Sequence, residues 1–135
     1  MITLQKIDFS TYDKVLALTL SETQKEYMQG SILKHIADAQ IFNSDGIPAA
    51  TLAIIFKGEV IGWLMYVYET ADWDGFKKYP FFQHKSYFLY DFMIDNKYQG
   101  KGLGKLAFQA FLNLIATKPD GPSEFALLYY NKRMW

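Results

Sequence analysis

The sequence contains no cysteine among its 135 residues. That excludes disulfides, thiolate metal centres and a cysteine nucleophile, and it is compatible with a cytoplasmic address. Net charge is also missing, because 14 Lys and Arg balance 14 Asp and Glu. Without a basic field nothing holds a nucleic-acid backbone, so no nucleic-acid partner is expected. Long apolar runs are absent too. The longest, VIGWLMYVY from Val60 to Tyr68, is far too short to span a bilayer, so no membrane partner is expected. The stretch MITLQKIDFS carries Lys6 and Asp8 and does not read as a signal peptide. There is no internal repeat, linker or low-complexity segment, and no metal site is expected.

What remains is the material of a folded chain. Hydrophobic residues make up 50% and charged residues 21%, which argues against disorder. The length suits one domain over 1–135, able to bury roughly two-thirds of its unfolded surface. Ten Tyr and eleven Phe supply flat rings, mostly as core mass.

Alternation over 3–9 predicts a first strand. Ser10-Thr11-Tyr12-Asp13 and Ser21-Glu22-Thr23-Gln24 both resemble capping boxes. They predict a helix over 11–20 and a second that opens at 21, breaks or kinks at Gly30, and runs to about residue 40. Asn43 to Pro48 is rich in turn residues. Residues 51–69 read as a β-hairpin turning at Lys57-Gly58. Residues 70–85 are irregular, and Ser86 to Ile94 is the next strand. A helix follows, with Leu103, Leu106, Ala107, Ala110, Phe111, Leu114 and Ile115 on one stripe. Pro119, Gly121 and Pro122 end it, and 124–130 reads as a last strand. The order is β-α-α-β-β-β-α-β. It predicts an α/β fold with a mixed sheet, helices on both faces, and a parallel pair joined by a right-handed crossover over 86–130.

The stretch FMIDNKYQGKGLGK needs a separate account. Three alternating glycines let the backbone turn sharply and point successive N–H groups into one concavity. The helix that follows adds its unpaired first-turn N–H groups and the positive end of its dipole. Together they suit a phosphate or pyrophosphate, with Lys101 and Lys105 at the rim. A tight turn alone would need only one glycine. A Walker loop needs four residues between its glycines and a Ser or Thr after the Lys, which Gly100, Gly104 and Leu106 do not provide. A dinucleotide loop can be laid on Gly102, Gly104 and Ala107. It would want a glycine close behind the strand and an acid ending the next strand, whereas Asp95 to Gln99 intervene and Glu124 begins that strand. It stays open as an alternative. The third pattern, Q/R-x-x-G-x-G/A, is present as Gln99-Gly100-Lys101-Gly102-Leu103-Gly104, five residues beyond a strand ending Tyr90-Asp91-Phe92-Met93-Ile94.

With that strand, loop and helix the sequence resembles the GCN5-related N-acetyltransferase (GNAT) superfamily. The element order matches over nearly the whole chain, and the specific motif covers about 87–116. DFMID-x-x-YQGKGLGK is most similar to the polyamine or diamine (spermidine/spermine) acetyltransferases. The resemblance implies acetyl-CoA as cofactor. Its pyrophosphate would be held by the backbone of Gln99, Gly100, Lys101, Gly102, Leu103 and Gly104, with Lys105 at the helix start. Its pantetheine arm would pair with main-chain atoms of Phe92, Met93 and Ile94 on a splayed strand, where an N–H would polarise the acetyl carbonyl.

The reaction so implied is direct attack of an amine on the thioester. An alkyl amine is only about one part in 10³ neutral at pH 7, so a group must take its proton. Tyr90 or Asp91 is the expected group, with Glu69, Asp72, Asp74 and His84 behind them. Glu22 and Glu26 share a helical face and would attract a polycation, although Lys25 beside them also suits a plain solvated face. Superfamily members usually continue into a further helix, whose Tyr protonates the leaving thiolate, and then more strands. This sequence shows no Y-x-x-x-G-F segment before Trp135. The expectation is therefore a C-terminally short version, with Tyr129 or Tyr130 as stand-in acid and a homodimer covering the exposed edge. Two functions follow: an acetyl-CoA-dependent N-acetyltransferase for a small amine or polyamine, or a catalytically weak or inactive module that keeps the acetyl-CoA site for binding or interaction.

Overall fold

The computed structural model describes residues 1–28 and 30–118. Strand β1 (Ile2–Lys6) is followed by three helices, α1 (Tyr12–Leu16), α2 (Glu22–Tyr27) and α3 (Ile32–Ser44). Then come β2 (Ala49–Phe56), β3 (Glu59–Thr70), β4 (Lys85–Ile94) and α4 (Leu103–Ala116). The predicted break at Gly30 is the division between α2 and α3, and α3 runs four residues beyond the expected end at 40. The last predicted strand (124–130), the helix stop at Pro119, Gly121 and Pro122, the parallel crossover, and Tyr129 and Tyr130 lie outside the described residues.

Only one of the two expected capping boxes forms. Ser21 Oγ accepts the Gln24 N–H at 3.2 Å while Gln24 Oε1 accepts the Ser21 N–H at 2.7 Å. At Ser10–Asp13 the box is displaced by Asp8. Its carboxylate accepts from the Ser10 N–H at 2.8 Å, the Ser10 hydroxyl at 2.6 Å and the Thr11 N–H at 3.2 Å. An aspartate two residues ahead of a turn reaches its own downstream amides more easily than a serine reaches back.

Among the described residues the sheet is antiparallel throughout, in the order β1-β2-β3-β4. The β2–β3 hairpin turns at Lys57 and Gly58, both with positive φ (51° and 78°), which matches the twist of the flanking strands. Side chains alternate along β3, so Leu64 and Tyr66 enter one core while Trp63, Met65 and Val67 enter the other. Burial on both faces explains why β3 reads as an unbroken apolar run. A bulge in the β2–β3 ladder lies at Ile61–Gly62. A Cβ on Gly62 would collide with the Met93 carbonyl oxygen, so the close approach of β4 requires glycine there.

Helices cover both faces. Leu103, Ala107, Phe111 and Ile115 of α4 pack on the face of Leu52, Ile54 and Phe92. Each large side chain fully buried this way contributes about 1.5–3 kcal/mol. The stripe is narrower than predicted, since Leu106 falls on its flank and is 54% exposed. Val15 of α1 and Ile32 and Ala39 of α3 cover the other face with Trp63, Met65 and Met93. Residues 70–85 carry a small ring cluster of Phe76 and Phe81 against Phe88 of β4. No helix among the described residues is long and apolar enough to cross a membrane.

Candidate active site

The site begins where β4 ends. Asp95 caps a short 3-10 turn at Asn96–Tyr98 by accepting the Lys97 N–H at 2.9 Å. Gly100 and Gly102 both take φ 78°, and a Cβ at either would meet nothing within 4 Å. The glycines are therefore demanded by left-handed backbone and not by space. Gly102 is the N-cap of α4, and the first helical bond runs from the Leu106 N–H to its carbonyl at 3.3 Å. The N–H groups of Leu103, Gly104 and Lys105 thus have no partner inside the helix. Lys101 and Lys105 are exposed beside them, while Asp95, the one acid between 95 and 105, is turned inward and buried. A donor set of amides and ammonium groups fits a pyrophosphate.

The edge of β4 leads into this loop. The Asp95 N–H donates to Ile61 of β3 at 2.7 Å. By alternation the main-chain groups of Met93 also face β3, where Met93 pairs with Trp63, and those of Phe92 and Ile94 face the outer edge. No described strand pairs with that edge. The Ile94 carbonyl there accepts two side-chain amides, from Gln24 at 2.7 Å and Gln99 at 3.0 Å. Of the three residues expected to meet the pantetheine arm, Phe92 and Ile94 present backbone to the edge and Met93 does not.

The β3–β4 ladder has a second bulge. Met65 pairs with Asp91 and Tyr66 with Leu89, leaving Tyr90 as the extra residue. The bulge turns both Tyr90 and Asp91 toward α3. Asp91 is buried, and its Oδ2 is hydrogen-bonded to His35 Nδ1. Burial pushes the Asp91 carboxyl up to about 6, against the opposing effect of His35. Tyr90 is 44% exposed, with its ring edge-on to His35 at 5.4 Å and to Phe42 at 5.7 Å. Its phenol is pushed above the ordinary tyrosine value, by partial burial first and then by the carboxylates of Asp38, Asp91 and Glu69. It therefore stays protonated at neutral pH.

Tyr90 also forms one wall of a cavity of about 300 Å³, lined by Glu69, Asp72, Trp73, Phe76 and Phe88. Burial and the neighbouring Asp72 push the Glu69 carboxyl above the ordinary glutamate value. Negative charge and flat rings in one cleft suit an organic cation. The other acids lie elsewhere. Glu22 is exposed and pairs with Lys25 at 3.3 Å, Glu26 is exposed on the same helix, and Asp74 pairs with Lys77 at 3.5 Å. His84 is exposed, outside the cleft lining. Sequence reasoning passed over His35. Its position three residues after Ile32 and four before Ala39, on the buried face of α3, is the one sign that could have drawn attention to it.

Comparison with known proteins bears on the family and the fold. The family model described as "Acetyltransferase (GNAT) family" matches residues 13–126. No curated protein matches the chain. Among solved structures it is similar to AAC(6')-Iy in complex with the bisubstrate analog CoA-S-monomethyl-acetylneamine. That similarity has a TM-score of 0.56 at 14% identity, over 98% of this chain and 99% of that one. It is similar to an acetyltransferase from Thermus thermophilus, with a TM-score of 0.55 at 19% identity over 90% and 71%. A third similarity is to the aminoglycoside antibiotic 6'-N-acetyltransferase AAC(6')-IG from Acinetobacter haemolyticus, with a TM-score of 0.53 at 11% identity over 80% and 67%. At these identities the structures speak for the fold.

Proposed function

The chain belongs to the GNAT acetyltransferase family, and on that premise we propose that it acetylates a primary amine of a small polycation, a polyamine above all. Enzymes of this family use acetyl-CoA, which supplies an acetyl thioester for direct attack. The observation that carries the reading is the position of Tyr90. It stands on the bulge of β4, on the strand that enters the glycine loop, and it also walls the acidic, ring-lined cavity.

The geometry supports the following assignment of roles. The left-handed backbone at Gly100 and Gly102 aims the amides of Leu103, Gly104 and Lys105 at the pyrophosphate, and Lys101 and Lys105 add charge. The Phe92 backbone and the Ile94 N–H pair with the pantetheine arm along the open edge. Glu69 and Asp72 hold the ammonium form of the acceptor, while Trp73, Phe76 and Phe88 flank its alkyl chain. Glu69 takes the amine proton, its raised carboxyl being a better acceptor than an ordinary glutamate. Tyr90, kept protonated, gives its phenol proton to the leaving sulfur and regains one from the second N–H proton that amide formation releases. Asp91 acts through His35 to hold the bulge. Glu22 and Glu26 contribute only long-range attraction for a polycation.

A thiol-release assay with acetyl-CoA tests the acceptor class. The panel is spermidine, spermine, shorter diamines, aminoglycosides and lysine peptides. Turnover that rises with the number of alkyl-spaced amines supports the proposal. Preference for aminoglycosides or peptides would reassign the acceptor. Coenzyme binding with no thiol release from any amine would make the chain a binding module.

A further inference from the structure

Two buried polar side chains tie distant segments together at the root of the glycine loop. Gln24 of α2 is 0% exposed. Its Oε1 accepts the Ser21 N–H and its Nε2 donates to the Ile94 carbonyl, both at 2.7 Å. Gln99, the first residue of the loop motif, donates to the same carbonyl at 3.0 Å. Asp95, also buried, accepts the Thr19 N–H on Oδ2 and the Lys97 N–H on Oδ1, both at 2.9 Å. The Asn96 N–H donates to the Thr19 carbonyl at 3.0 Å. Residues 19–24 and 94–99 are thus one hydrogen-bonded block.

A fully buried amide is costly unless its donor and acceptor ends are both bonded, so Gln24 is held to this geometry. Two consequences follow for the loop. With two donors already on it, the Ile94 carbonyl has no lone pair left for a further ligand. The direction in which the chain leaves β4, and so the aim of the amides at 100–105, is set partly from α2.

We infer that Gln24 is a positioning residue for acetyl-CoA, acting through the Ile94 carbonyl and Gln99, and that it couples the order of α2 to cofactor occupancy. This rests on reading the loop as the coenzyme A cradle. A residue that merely stabilised the fold would lower the melting temperature and leave cofactor affinity alone.

The test is titration of coenzyme A into the wild-type chain and into Gln24→Glu, Gln99→Glu and the double variant, with acetyl-CoA kinetics alongside. Gln24→Glu keeps the acceptor for Ser21 but sets a carboxylate oxygen against the Ile94 carbonyl. The expected result is a rise of about tenfold in the coenzyme A Kd and the acetyl-CoA KM, with kcat within about twofold. The double variant should lose much less than the product of the single losses, because both side chains share one acceptor. Ser21→Ala leaves the Gln24–Ile94 bond in place and should lower the Tm without moving the Kd. In the wild-type chain, hydrogen exchange of the α2 amides should slow when coenzyme A is added. This arm does not depend on any variant folding. An unchanged Kd in a folded Gln24→Glu, or α2 exchange indifferent to coenzyme A, overturns the inference. If the wild-type chain does not bind coenzyme A, the cradle reading itself fails, a result distinct from either of these.

Discussion

His35 Nδ1 on α3 and Asp91 Oδ2 on β4 form a hydrogen-bonded pair buried behind Tyr90. Burial raises the Asp91 carboxyl to about 6 in the folded chain, above its ordinary value of 3.8. An acid with a raised folded pKa stabilises the fold in its protonated form. The contribution is fully present below about pH 4 and is lost as pH rises through about 6. Asp91→Asn has no such titration. The stability of wild type minus that of Asp91→Asn should therefore fall by on the order of 2 kcal/mol between about pH 4 and pH 6.5. Urea melts at four pH values across this window measure it. A difference that stays flat, or grows with pH, contradicts the assignment.

Tyr90 and Glu69 should separate by the step they serve. Tyr90→Phe removes the proton donor and keeps the ring contacts with His35 and Phe42. It should lower kcat by about 10²-fold and leave the acetyl-CoA KM unchanged. Glu69→Gln should lower kcat/KM by a similar order and abolish the acidic limb of the pH profile. In wild type that limb should lie above the ordinary glutamate range, because burial and Asp72 raise the Glu69 carboxyl. Steady-state kinetics across pH test both. An acidic limb retained in Glu69→Gln removes it as proton acceptor.

The glycines at 102 and 62 are required for different reasons, so their alanine variants should differ. A Cβ at Gly102 meets open space but must sit at φ 78°, which costs about 1–2 kcal/mol. Gly102→Asn should recover part of that, since Asn tolerates the left-handed region. A Cβ at Gly62 meets the Met93 carbonyl, and no rotamer relieves a backbone collision. Gly62→Ala should cost at least about 2–3 kcal/mol by overpacking, and Asn there should be worse. Denaturant midpoints of the four variants check the contrast. Equal tolerance of Asn at both sites would contradict it.

The glycine loop, the β2–β3 hairpin and the α4 stripe were legible because each is written in consecutive or periodic residues. Lys57-Gly58 marks its turn by residue type, and Gly100 to Gly104 mark theirs by spacing. The His35–Asp91 pair was not legible, because its members are 56 positions apart and neither pattern names the other. The bulge at Tyr90 has no signature either, since any residue adopts it and the register of β3 decides where it falls. The two capping boxes looked alike, yet only Ser21 forms one; Asp8 outcompetes Ser10 through bonds no box pattern includes. From its place on the strand, Asp91 reads as a proton acceptor. Its burial against His35 only emerges once α3 is packed on the sheet.

The most direct measurement is mass spectrometry of the acceptor after incubation with acetyl-CoA and spermidine, using wild type and Gly102→Glu side by side. Gly102→Glu places a negative side chain at the N-cap where the pyrophosphate should sit. The expected result is spermidine carrying one acetyl group with wild type and none above background with Gly102→Glu. Equal acetylation by both proteins, or none by a wild-type chain that coenzyme A protects against heat, would contradict acetyl transfer through this loop.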